Sequence, residues 1–301
     1  MNKKKMLTAI TYVCIFAMLM TVSIEVASGA DLSEIRKNGV LRHLGVPYAN
    51  FVTGSGDGID VEMAKLFAQH LGVKYVYVKS SWGDVIEDLT GKKVIARGKD
   101  IEVTGDLPVK GDIIANGFTI LPWRQKIVNY SIPSFPTQVW ILARANSPMK
   151  PIQPSGDTDR DIASVKAILK DRSVFGVAQT CLDPSLYGIK DTGARIKLFE
   201  GNLNELAPAV INGDADATLL DVPDALIALE KWPGQVKVIG PVSHVQCMGF
   251  AFAKTSPRLL EIFNRFFKDC KNDGTYVRLV KKYYPAVFNY YPEFFEEKQK
   301  P

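Results

Sequence analysis

Short apolar runs alternate along this chain with stretches whose apolar residues recur every three or four positions, the pattern of strands exchanging with amphipathic helices. Residues 40–46 read as a first strand, ending in the loop Pro47-Tyr48-Ala49-Asn50-Phe51. Gly54, Gly56 and Gly58 then make a turn-rich link, and Asp60 is placed to cap a helix that carries Ala64, Phe67, Ala68 and Leu71 on one face. Gly72 ends that helix and residues 73–78 alternate as the next strand, which predicts a parallel pair with a right-handed crossover. A short helix follows from Ser80-Ser81-Trp82 to Leu89, and then a charged, glycine-punctuated excursion over residues 91–110, with a small hairpin expected at 101–103.

The stretch GDIIANGFTILPWRQKIVNYSIPSF, residues 111–135, begins as a buried strand would and breaks at Leu121-Pro122. Just beyond the break stands Arg124. In open α/β sheets ligands collect at the carboxyl ends of strands, and a guanidinium matches a carboxylate with two parallel donors. The same residue also suits an ordinary surface ion pair. Pro133 and Pro136 lead into an apolar run at 139–143 and read as a connector between lobes.

In the second half, strands are expected at 174–178, 196–199, 217–220, 236–239 and 248–253, with helices at 161–169, 203–212 and 222–229 between them. The exit Gln179-Thr180-Cys181-Leu182-Asp183-Pro184 is expected to start another helix, whose free N–H groups would suit an anion. Asp221 ends its strand, either as a cap for the next helix or as an acid facing a cleft. Gly240-Pro241 reads as a second connector. Pro257 opens the longest helix, with Leu259, Phe263, Phe266 and Cys270 on a core stripe, and Thr275 opens a last helix before an aromatic tail at 288–295. Two connectors between α/β halves predict a molecule of two α/β lobes with a two-strand hinge. Lobe 1 is expected from 31–136 and 241–301, and lobe 2 from 137–240, with a ligand cleft between them.

Composition narrows the function. Lys3, Lys4 and Lys5, an apolar run at 6–22 and Ser28-Gly29-Ala30 have the order of a secretory signal peptide over residues 1–30, so the chain is expected to be exported to the periplasm and cleaved near Ala30. Removing three lysines and Glu25 lowers the formal charge from +5 to +3, a weak excess that gives no reason to expect nucleic acid. Cys181, Cys247 and Cys270 would remain, enough for one bridge and an odd thiol. His43, His70 and His244 are scattered and no cysteine spacing suits a metal, so neither a metal nor a cofactor is expected. No glycine-rich phosphate loop, Ser/His/Asp order or paired catalytic carboxylates stand out, and the chain is not expected to be an enzyme.

Seven segments in order, GVLRHLGVPYANF, GIDVEMAKLFAQHLGVK, SSWGDVIEDL, GDIIANGFTILPWRQKIVNYS, VFGVAQT, INGDADATLLD and NDGTYVRLVKKYY, resemble the polar amino acid binding proteins of bacterial ABC importers, family 3 of the bacterial extracellular solute-binding proteins. The resemblance covers nearly the whole chain after the leader. It implies two α/β lobes closing on a small ligand, an amino acid or other carboxylate, which is passed to a membrane permease. It places Arg124 as the carboxylate-binding arginine, Thr119 as a hydroxyl beside it, Tyr48 and Phe51 as flanking aromatics and Trp82 beside the cleft. Asp221 falls where an acid pairs with the ligand's α-ammonium, Thr180 lies in the second-lobe turn whose backbone donors meet the carboxylate, and Gly117 takes a position where serine or glycine is usual. Trp123 beside the clamp, either a lid or a handle for a partner, and the 91–110 excursion depart from the pattern. They leave room for a periplasmic accessory or sensor module that engages another protein. A dehydratase acting on carboxylated cyclic compounds, related to cyclohexadienyl dehydratase, is a further reading that the resemblance admits.

Overall fold

A computed structural model describes residues 30–98 and 100–296. The expected leader at 1–29 lies outside the described residues. The chain enters through α1 (Leu32–Asn38), closed at its start by a capping box of Asp31 and Glu34 and at its end by Gly39 at φ 66°. β1 (Val40–Gly45), α2 (Ile59–Leu71) and β2 (Lys74–Lys79) form the expected unit, and β1 and β2 pair in parallel from Val40 opposite Lys74 to Gly45 opposite Lys79. β2 is the outermost strand and none of its residues is fully buried, Tyr75, Val76 and Val78 being half-buried and Tyr77 exposed.

α3 (Val85–Thr90) leads into a hairpin larger than the sequence suggested, β3 (Lys92–Arg97) paired with β4 (Asp100–Asp106). β5 (Ile113–Ile114) is the short centre of the first sheet, followed by the single-turn α4 (Pro122–Gln125) and β6 (Val128–Tyr130). The expected strand stops early because Gly117 takes φ +67°, which breaks the ladder. Residues 115–121 continue as mostly buried irregular chain, touching another strand through a bridge from Thr119 to Met248.

β7 (Phe135–Thr137) leaves the first lobe and β8 (Val139–Arg144) enters the second. There, α5 (Thr158–Ile168), β9 (Ser173–Gly176), β10 (Arg195–Leu198), α6 (Leu206–Asn212), β11 (Ala217–Asp221), α7 (Val222–Lys231) and β12 (Val236–Pro241) build a second sheet in the order β10-β9-β11-β8-β12. β8 and β11 lie inside it and are buried almost throughout, so their sequences are largely apolar, with Thr218 and Asp221 as the polar residues of β11. The expected helix after Thr180 is replaced by two one-turn 3-10 helices, Pro184–Tyr187 and Ile189–Thr192, each stopped by a glycine in the left-handed region. The α-helix start expected there is therefore not built.

Gly240 and Pro241, expected as the second connector, still pair with Ile141 and Trp140 of β8 across a register shift. The chain returns later, through β13 (Gln246–Met248), which lies antiparallel to β7 with Cys247 opposite Pro136. The strand expected at 248–253 is thus two: β13 between the lobes and β14 (Ala251–Ala253), which inserts between β5 and β6 to complete the first sheet as β2-β1-β5-β14-β6. α8 (Pro257–Asn272) lays Phe263 against Phe67 and Phe250, with ring centroids 4.9 and 4.7 Å apart. α9 (Thr275–Tyr283) and the short α10 (Pro292–Phe295) finish the chain, and Tyr284 between them packs on Phe51 and Phe135. Cys181, Cys247 and Cys270 are free thiols.

Candidate ligand-binding site

The loop after β1 carries Tyr48 and Phe51. Phe51 is fully buried against Phe135 and Tyr284, ring centroids 5.2 and 5.0 Å away, and stacks on Tyr48 at 6.0 Å. Phe51 therefore acts as the floor under Tyr48. Trp82 meets Tyr48 edge to face at 5.4 Å, and its indole N–H is buried with no hydrogen-bond partner. With its ring held on two sides, the Tyr48 hydroxyl reaches into the second lobe and donates a hydrogen bond to Asp221 Oδ1.

Gly117 belongs to the scaffold of this corner. A Cβ there would lie 2.5 Å from Phe51 Cδ2, so the backbone passes against the ring as only glycine allows. Its N–H donates to Asp60 Oδ2 at 2.7 Å. Asp60, expected as a helix cap, sits inside the helix that Gly58 begins and makes no cap bond. Burial raises its carboxyl to about 7.

Pro122 starts the single turn α4, which swings Arg124 back toward Thr119. Arg124 is 1 % exposed, its Nη1 donates to the Thr119 carbonyl at 3.0 Å, and its guanidinium lies 4.1 Å from the centre of the Phe118 ring and 5.3 Å from that of Trp123. Trp123 is itself buried and lines a small cavity together with Gly98 of the β3–β4 hairpin and Leu186 and Tyr187 of the second lobe. It is a packing residue at the lobe boundary, not an exposed handle. Among the described residues no carboxylate lies within 4 Å of Arg124, so the surface ion pair is excluded. Arg124 Nε and the Thr119 hydroxyl are buried with no hydrogen-bond partner.

From the second lobe come the 180 turn and the end of β11. The Thr180 hydroxyl is spent locally, donating to the Val177 carbonyl and accepting from Leu182 N–H. Its neighbour Cys181, which the sequence marked only as one of three thiols, points to the centre: its thiol donates to Asp221 Oδ2 at 3.6 Å, and its carbonyl accepts from the Tyr187 hydroxyl. Burial and the Asp221 charge push the thiol up to about 12, opposed by Arg124 and Thr119. Asp221 occupies the N-cap position of α7 without making a cap bond, and burial raises it to about 6 against the pull of the Tyr48 hydrogen bond. Asp224, one turn on, is also buried, has Oδ2 unpartnered, and is held well above the carboxylate range by burial and the Asp221 charge.

The structure thus gathers Tyr48, Thr119, Arg124 and Asp221 around one buried point, with Cys181 added and with Phe51 and Gly117 supporting it. Thr180 and Trp82 lie where this cluster meets an open cleft of about 500 Å³ between the lobes, walled also by Pro47, Ser81, Gln179 and Phe199. Cys181 and Asp224 were present in the sequence as a neighbour of Thr180 and as the second acid of Asp221-Val222-Pro223-Asp224, but nothing in their spacing distinguishes them from turn and capping residues.

Two α/β lobes, joined by two passages of chain, meet at a buried arginine with free donors. The profile of the bacterial extracellular solute-binding proteins, family 3, matches residues 109–286, and the chain belongs to that family. Both the family and the fold expected from the sequence are borne out. A mutant of ArgBP from T. maritima superposes with a TM-score of 0.67 at 26% identity, over 85% of this chain and 99% of that one. The ancestral amino acid-binding protein AncCDT-1, a precursor of cyclohexadienyl dehydratase, does so with a TM-score of 0.62 at 29% identity, over 84% and 98%. Among curated proteins, a membrane-bound lytic murein transglycosylase F of Desulfosudis oleivorans is 25% identical over 76% of this chain and 44% of its own length. The chain spans about half the length of the transglycosylase relatives it matches.

Proposed function

We propose that this chain is a periplasmic receptor that captures a small carboxylate between its lobes and passes it to the permease of an ABC importer. The observation that carries this reading is Arg124: a buried guanidinium with no acid partner among the described residues and with Nε free beside the free Thr119 hydroxyl. A carboxylate accepts from both and removes the cost of two unmet buried donors, a charge-assisted arrangement that closure of the lobes shields from water. Amino acids are the first compounds to try, since the superposing structures are named for arginine and amino acid binding. A thermal-shift screen over amino acids, other small carboxylates and small amines tests it. Stabilisation by carboxylate-bearing compounds is expected through mass action, and stabilisation by amines alone contradicts it.

A second reading has one observation in its favour. Asp221 is a fully buried acid raised to about 6, a value suited to proton transfer near neutral pH. We propose that the chain is nonetheless a binder, since its Oδ1 is held by Tyr48 and its Oδ2 by Cys181. Turnover of prephenate or arogenate in an absorbance assay would reverse that choice.

A further inference from the structure

We infer that the open cleft beside Arg124 receives a second charged head, so that the ligand is an amino acid with an ammonium and a carboxylate at each end. This inference rests on the proposed carboxylate capture and concerns what lies beyond that first carboxylate.

The cleft has a volume of about 500 Å³, whereas an apolar cavity of about 150 Å³ already holds a benzene ring. Its walls are the carboxyl ends of strands from both sheets, β1 and β2 in the first lobe and β9 and β10 in the second, where α/β folds collect ligands. It adjoins the buried cluster through Trp82, which meets Tyr48, and through Thr180, the neighbour of Cys181. A ligand whose near head lies with its carboxylate on Arg124 and its ammonium beside Asp221 extends into this space.

The facing walls carry opposite charges. Lys79, the last residue of β2, lines the first-lobe wall with Trp82, whose indole N–H is buried without a hydrogen-bond partner. A cation and a free N–H donor both suit a carboxylate. Glu200, just beyond β10, lines the second-lobe wall beside Phe199. Among the described residues neither Lys79 nor Glu200 is ion-paired, with the other or with any other group. The rings of Trp82 and Phe199 border a passage for an apolar stem. A far end with an ammonium alone meets Glu200 and is repelled by Lys79, and one with a carboxylate alone meets the reverse. A far end with both charges satisfies both walls as the lobes close on it. Lys79 and Glu200 become specificity-determining residues, and the class they fit is the amino acids with two heads, such as diaminopimelate and cystine.

Calorimetry and thermal shift on the full chain test this with compounds that share one stem. meso-Diaminopimelate carries both far charges, L-lysine lacks the far carboxylate, L-α-aminopimelate lacks the far ammonium and L-norleucine lacks both. L-Cystine against S-methylthio-L-cysteine repeats the comparison on a disulfide stem. The better two-headed compound is expected to bind at least about tenfold more tightly than its single-headed counterparts. Lys79→Ala is expected to erase the advantage that the far carboxylate gives, and Glu200→Gln the advantage of the far ammonium. The inference is wrong if no two-headed compound binds or if a single-headed counterpart binds as tightly. It is also wrong if the two variants weaken all of these compounds alike, which would make Lys79 and Glu200 a latch between the lobes. In each case the carboxylate reading stands provided that Arg124→Ala weakens the carboxylates that do bind. If Arg124→Ala leaves every affinity unchanged, the inference and the reading beneath it both fail.

Discussion

Asp60→Asn isolates a single buried charge. The Asp60 carboxyl is 4 % exposed, Oδ2 accepts one hydrogen bond from Gly117 N–H at 2.7 Å, and Oδ1 has no partner. One hydrogen bond does not replace the hydration of a carboxylate, so burial raises the group from 3.8 to about 7. The sign follows from linkage: an acid that holds its proton more tightly when folded stabilises the fold fully below its unfolded pKa, and that contribution disappears as pH rises through the folded value. Between about pH 5 and pH 8 the wild-type chain should lose on the order of 2 to 3 kcal/mol through this group alone. Asparagine keeps an acceptor for Gly117 and does not titrate. Urea unfolding of both proteins across this range should show Asp60→Asn losing that much less stability, although Asp221 leaves some dependence in both. Identical pH slopes in the two proteins would refute the assignment of a buried, proton-holding Asp60.

Two further predictions concern how the site is held. Gly117→Ala forces a Cβ to 2.5 Å from the Phe51 ring at φ +67° and should cost about 2 kcal/mol or more, read by chemical unfolding, with ligand affinity falling as the floor under Tyr48 shifts. Asp112, at the start of the segment that leads to Arg124, accepts from Arg42 N–H at 2.7 Å and Nε at 3.1 Å and pairs with Nη2 at 2.6 Å. Since Arg42 is one-third exposed, Asp112→Ala should cost about 2 to 3 kcal/mol in the same assay, short of the loss for a fully buried pair.

Much of the fold can be read along the chain because burial writes itself locally. The largely apolar runs of the buried strands β8 and β11 and the glycine stops at 39 and 72 each follow from one element's surroundings. Arg124 was legible for the same reason: it follows a strand-like run and a proline. What escaped depends on contacts across the molecule. Asp60 has the position of a cap, and only the approach of Gly117, 57 residues away, makes it a buried acid. The hydrogen bond from Tyr48 to Asp221 spans 173 residues and two lobes. Gly240-Pro241 looks like a connector, but β8 continues to pair with it. Cys181 differs from an ordinary turn residue only because Asp221 and Arg124 converge on it.

The central claim is that Arg124 holds a ligand carboxylate. Calorimetric titration of the tightest carboxylate from the thermal-shift screen into wild type, Arg124→Lys and Arg124→Ala tests it most directly. The account predicts that alanine weakens binding by about 2 to 5 kcal/mol, roughly 30-fold at the least, as the ligand's buried carboxylate is left without its partner. Lysine should recover only part of the loss, having the charge but not the two-pronged donor geometry. Unchanged affinity in Arg124→Ala would contradict the account.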